Sequence, residues 1–198
     1  MPSPHSGGER EHGPVGSLLI VSGPPGSGKS TVARLLVERF ERSVLVEGDA
    51  FFAFLAAGAI EPWLPESHHQ NQVVTEVAAR ATGAFVHGGY DTVYDGVVGP
   101  WFLQAFIAGT GLDQLGYAVI LPSLDVCLER VRTRVAHGFD DPDATSSMHR
   151  QFATAAIEER HVVADDAATP DVIASAIWDR RSRGLLNVSG VRPQFSAE

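Results

Sequence analysis

The sequence holds a single cysteine, Cys127, among its 198 residues. One thiol cannot form an internal disulfide or a four-cysteine zinc site, so the chain reads as cytoplasmic, with a fold held by its core alone. Positive charge is also scarce. Fifteen Lys and Arg stand against 24 Asp and Glu, a formal net charge of −9. Nucleic acid wants a basic surface, so it is not expected as a partner. No apolar run approaches the ~20 residues that cross a bilayer, so no membrane partner is expected either. Residues 1–16 lack the apolar core of a signal peptide and read as a disordered leader. Residues 187–198 read as a flexible tail. The remainder, 17–186, is long enough for one domain with a full core.

Short apolar runs alternate with amphipathic ones along that remainder. Strands are expected at 17–23, 43–49, 91–99, 117–123 and 161–166. Between them, helices are expected at 29–42, from a Ser67 cap to His87, from Pro100, from an Asp125 cap to Gly138, and up to Arg160 after a loop at 139–147. A short helix follows Asp49, and a last helix starts near Pro170 and ends before Gly184. Five strand–helix alternations make an α/β fold, a parallel sheet with helices on both faces.

The stretch "GPPGSGKST" lies between the first strand and the first helix. It fits G-x-x-x-x-G-K-[ST], a loop whose glycines let backbone N–H groups wrap a phosphate while the helix N-terminus adds its positive end. Gly23, Pro24, Pro25, Gly26, Ser27, Gly28, Lys29, Ser30 and Thr31 are therefore the expected nucleotide-binding residues. Lys29 suits the β and γ phosphates, and the Ser30 hydroxyl suits Mg²⁺. A nucleotide and Mg²⁺ are the expected cofactors from the loop itself.

The loop does not name the reaction. Asp49 ends "VEGD" at the carboxyl edge of the sheet, where it can take a proton from a substrate hydroxyl or cap the helix that follows. Asp95 ends the third strand, and has three readings: a Mg²⁺ ligand, a contact to a substrate hydroxyl, or a turn residue before Gly96. Arg130 and Arg134 are four apart on one helix face. They can clamp a transferring phosphoryl group, or form a solvated face paired with Glu129. Phe52, Trp63 and Trp101 follow strand ends and can wall an acceptor pocket or belong to the core. His68 and His69 read as surface residues, His137 as a possible phosphate contact, and Cys127 as packing.

These residues resemble the small P-loop kinases: gluconate and shikimate kinases, chloramphenicol phosphotransferase and the zeta-toxin group. The resemblance rests on "GPPGSGKST", on "EGD", and on "ERVRTRVAHGF" with the later "RQFATAAIEE". It implies a P-loop kinase three-layer sandwich with strand order 2-3-1-4-5 and a lid over about 130–150. It implies ATP·Mg as donor and a small-molecule hydroxyl as acceptor, with Asp49 as base and Arg130 and Arg134 as lid arginines. Gluconate kinases follow "GD" with a polar, acid-reading segment. Here "AFFAFLAAGAIEPW" stands instead, which implies a bulkier, less charged acceptor such as an antibiotic or other metabolite. The alternatives are a P-loop ATPase or switch that phosphorylates nothing, and a toxin-like kinase of a nucleotide sugar. A monomer or homodimer is expected.

Overall fold

A computed structural model describes residues 15–133 and 141–190. Its centre is β1 (Leu18–Ser22), buried along its whole length. Successive side chains alternate between faces. Leu18 and Ile20 enter one core with Val86, Phe106 and Ile107, and Leu19 and Val21 enter the other with Val32, Leu36, Ile173 and Ile177. The first core lies under α2 (His68–His87) and α3 (Pro100–Thr110), the second under α1 (Lys29–Val37) and α6 (Pro170–Ser182). A strand buried on both faces has no polar side to alternate with, which is why "LLIV" is continuously apolar.

The other parallel strands are β2 (Ser43–Glu47), β3 (Asp91–Asp95), β4 (Gln114–Ile120) and β5 (Val162–Val163). Their order is β2-β3-β1-β4-β5, as the resemblance implies. This is the P-loop kinase fold. A sixth strand, β6 (Asn187–Ser189), pairs antiparallel with β4. That segment falls in the stretch read as a loose tail. Its order comes from pairing with Gln114–Gly116, a partner about seventy residues away that local pattern does not reveal.

Several boundaries also differ. β4 begins at Gln114 because the backbone of 114–116 has β1 and β6 to pair with, although Gln and Gly carry little strand signal. β3 ends at Asp95, and residues 96–99 form a loop. α1 stops at Val37, five residues early. Ser67 precedes α2 as expected but does not cap it; its hydroxyl donates to the Pro62 and Leu64 carbonyls. The expected loop at 139–147 is already helical from Pro142. Asp141 caps α5 (Pro142–Thr154), accepting from the N–H groups of Asp143 and Ala144 at 2.9 Å each. α4 runs from Leu124 to Thr133, with Asp125 inside its first turn and not at the cap. Arg134 and His137, and the middle of the expected lid, lie outside the described residues.

Candidate nucleotide and acceptor site

The phosphate loop leaves β1 at Gly23 and enters α1 through Gly28, which sits in the left-handed region at φ 93°. Gly26 is also left-handed, at φ 77°, and a Cβ there would collide with the Cys127 carbonyl of α4. The loop is therefore clamped between β1 and α4. Cys127 itself is buried, and burial pushes its thiol up to about 11, the behaviour of an inert packing residue. Lys29 is buried, at 9 % exposure, in the first turn of α1. It is also the only lysine in the chain; every other cationic side chain of permanent charge is Arg. That count is legible in the sequence alone. It singles out a position that takes a compact ammonium and not a planar guanidinium.

The register assembles the carboxylates. Asp95 pairs with Val21 of β1 on one side and Glu47 of β2 on the other. Asp49 follows Glu47 by two residues, so both acids stand at the carboxyl edge of the sheet beside the phosphate loop. Asp95 is 7 % exposed, and its Oδ1 is buried without a hydrogen-bond partner. Burial raises its pKa first; the Lys29 charge and a hydrogen bond with Ser30 pull it down, and Asp49 and Glu47 push it up. These couplings put Lys29, Ser30, Asp49 and Asp95 in one electrostatic site. Asp95 is thus no surface turn residue. Asp49 is exposed inside the first turn of a 3₁₀ segment, Gly48–Phe54, which no side chain caps, so its reading as a cap is not borne out.

Between the two acids lies Tyr94, a residue that pattern reading placed only as strand. Its ring fills the space where a side chain at Gly48 or Gly96 would begin. Burial pushes its phenol upward, and the charges of Asp49 and Asp95 add to the effect. The glycines of "EGD" and "DG" are therefore required by a buried ring. The loop after Asp95 is pinned as well. The Val98 carbonyl accepts from the Ser22 hydroxyl at 3.0 Å and from the Tyr117 hydroxyl at 2.8 Å, and its N–H donates to Ser22 Oγ at 3.0 Å.

Arg130 turns toward the phosphate loop. Its Nη1 donates to the Ser27 carbonyl at 3.2 Å, whereas Glu129 pairs with Arg132 at 2.7 Å. The face expected to pair Arg130 with Glu129 is therefore divided differently. Arg130 also lines a cavity of about 320 Å³ with Gly26, Thr31, Ala168 and Pro170.

The aromatic residues are less concentrated. Phe52 and Trp63 are half-buried beyond Asp49, and Trp101 is 43 % exposed, edge-on to Phe152 of α5 with ring centroids 5.2 Å apart. Around them Phe54, Ile60 and Leu64 expose apolar surface. His68 and His69 are exposed, as expected, and the His68 ring stacks on Phe102. Among the described residues no group of His, Cys, Asp and Glu forms a metal cluster, and no helix is long and apolar enough to cross a membrane. A single Mg²⁺ held by one carboxylate, one hydroxyl and phosphate oxygens needs no such cluster. The unpaired Asp95 Oδ1 and the Ser30 hydroxyl, on side chains coupled to each other, are the hard oxygens such an ion takes.

Comparison with known proteins agrees with this fold. Residues 18–159 match the family model described as an AAA domain, and the chain belongs to that family. Its fold is similar to a sugar kinase from Janibacter sp. HTCC2649, with TM-score 0.63 and 16 % identity over 86 % of this chain and 95 % of that one. It is similar to a gluconokinase from Sinorhizobium meliloti 1021, with TM-score 0.59 and 20 % identity over 87 % and 94 %. It is also similar to the tunicamycin resistance protein of Deinococcus radiodurans, with TM-score 0.60 and 16 % identity over 89 % and 99 %. No curated protein matches the sequence significantly.

Proposed function

We propose that the protein is an ATP- and Mg²⁺-dependent phosphotransferase acting on a hydroxyl of a small molecule. The observation that carries this reading is the buried, unpartnered Asp95 Oδ1, coupled to Lys29 and Ser30 at the mouth of a phosphate-binding loop. An unpaired buried carboxylate oxygen is costly, and a bound cation removes that cost.

In this mechanism the N–H groups of the loop and the Lys29 ammonium would hold the phosphates, and Ser30 and Asp95 would hold Mg²⁺. The ion supplies neutralisation of phosphate charge. Asp49 accepts the proton of the acceptor hydroxyl as its oxygen bonds to the γ-phosphorus and the bond to the leaving diphosphate breaks. Arg130 and Pro170, at the cavity beyond the loop, would flank the nucleoside. The acceptor is bulky and weakly charged, a reading supported by the apolar segment after Asp49 and by the exposed Phe54, Ile60 and Leu64. An antibiotic or other metabolite has this character, and one structural neighbour is named for resistance to tunicamycin.

The test follows ³¹P signals of ATP and Mg²⁺ with the protein and a library of hydroxylated metabolites and antibiotics. A new phosphate-ester signal that grows as ADP forms is the expected result. Release of inorganic phosphate alone, whatever acceptor is present, would identify an ATPase instead.

A further inference from the structure

Ser22 is the last residue of β1, one position before the phosphate loop, and it is buried. Its hydroxyl does not serve its own strand. It donates to the Val98 carbonyl at 3.0 Å and accepts from the Val98 N–H at 3.0 Å, across 76 residues. The same carbonyl takes a second bond, 2.8 Å long, from the Tyr117 hydroxyl of β4. Val98 and Tyr117 are buried too. Burial pushes the Tyr117 phenol upward, so it stays a protonated donor. The Val98 peptide groups lie beyond the end of β3, outside any sheet ladder. Buried peptide groups left unmet are costly, and here two hydroxyls from adjacent strands meet them.

Asp95 stands three residues before Val98. Its Oδ1 has no hydrogen-bond partner, so no bond at that oxygen fixes where the carboxylate points. The next backbone bond along the chain, from the Gly96 N–H to the Val21 carbonyl, is 3.4 Å long, beyond the usual range of about 2.7–3.2 Å. The first firm hold after Asp95 is therefore Val98. Thr110, at the far end of α3, offers a comparison. Its buried hydroxyl also bonds both ways, donating to the Ile107 carbonyl at 2.7 Å and accepting from the Leu112 N–H at 3.2 Å. Those bonds only close a local turn. The Ser22 bonds join the residue before the phosphate loop to the segment that follows Asp95.

We propose that Ser22, supported by Tyr117, is a positioning residue: it ties the segment after Asp95 to the base of the phosphate loop and so holds the Asp95 carboxylate in place for Mg²⁺. The inference rests on the reading of Asp95 as a ligand of that ion. The test titrates a fluorescent, non-hydrolysable ATP analogue into the full chain, in Mg²⁺ and in EDTA. The ratio of the two affinities is the contribution of the metal. Ser22→Ala should lower this ratio several-fold and leave the affinity in EDTA unchanged. Tyr117→Phe should lower it less, because Ser22 still holds Val98. Thr110→Val should lower Tm and leave the ratio alone. In an Asp95→Asn background, Ser22→Ala should have no further effect on the ratio. If Asp95→Asn itself leaves the ratio intact, the Mg²⁺ reading of Asp95 falls and this inference falls with it. If Asp95→Asn lowers the ratio but Ser22→Ala does no more than Thr110→Val, the Mg²⁺ reading stands and Ser22 only fills a buried bond. An equal loss in Mg²⁺ and in EDTA would place its effect on the phosphate loop and overturn the proposal as well. Where Ser22→Ala does not fold, Tyr117→Phe, which keeps the buried ring, decides by the same ratio.

Discussion

Arg130 donates a hydrogen bond to the Ser27 carbonyl at 3.2 Å, so the helix after β4 is fastened directly to the phosphate loop. The bond shows why a guanidinium on α4 matters before any nucleotide is present: it holds the loop carbonyl and lines the neighbouring cavity. Arg130→Met should keep the apolar stem and lose the fork. KM for ATP is expected to rise by roughly tenfold, the worth of a charge-assisted hydrogen bond. Steady-state kinetics at varied ATP check it. A fall in kcat with KM unchanged would mean that Arg130 acts on the transferring group instead.

Lys29 is the only lysine in the chain, which permits a clean chemical test. An amine-selective reagent should modify one side chain, and ATP with Mg²⁺ should protect it, as read by peptide mass spectrometry. Lys29→Ala should lower phosphoryl transfer by at least ~10²-fold, in the range of other lost electrostatic groups. Normal turnover by that variant would remove the loop from the chemistry.

Asp49 and Asp95 share one edge of the sheet but differ in burial, and their variants should differ accordingly. Asp49→Asn is expected to leave ATP affinity nearly intact while kcat falls by ~10²–10⁴-fold, the usual worth of a general base. Asp95→Asn should raise the Mg²⁺ concentration needed for half-maximal rate. It should also raise the Tm of the free protein at neutral pH, because it removes a buried charge with an unpaired oxygen. The converse pattern, with Mg²⁺ dependence altered by Asp49→Asn alone, would exchange the two roles.

Gly48 is held small by the Tyr94 ring. Gly48→Ala should destabilise the fold by about 1–3 kcal/mol, the cost of overpacking. In Tyr94→Leu the same substitution should cost less. Chemical denaturation of the four proteins of this cycle measures the coupling; additive effects would show that the ring is not the obstacle.

His161 predicts a pH dependence. Its folded-state pKa is lowered from 6.5, chiefly by burial. A base with a depressed pKa contributes stability above its unfolded value and loses that contribution as pH falls through the folded one. Tm should therefore decline as pH falls below about 6.5, and His161→Phe should flatten that part of the profile. A wild-type profile already flat there would show that the ring is not buried in its neutral form.

The sequence by itself determined the phosphate loop, the alternation of strands and helices, and the sheet edge to which Asp49 and Asp95 belong. These are local properties. A glycine-rich turn between an apolar run and an amphipathic helix has one good conformation, and a carboxylate after a strand emerges at its carboxyl end. Even the lone Lys29 was legible by counting. Tertiary structure decided the rest. Which of two carboxylates is buried depends on strand order, because β3 lies between β1 and β2 and hides Asp95, while Asp49 follows the edge strand. Arg130 meets Ser27 across 103 residues, and Gly48 is small because of Tyr94, a residue 46 positions further along. The strand at Asn187–Ser189 and the Ser22–Val98 bonds exist only where distant segments meet. Local periodicity describes what each segment prefers; pairing and packing between segments far apart in sequence select which of those preferences becomes a site.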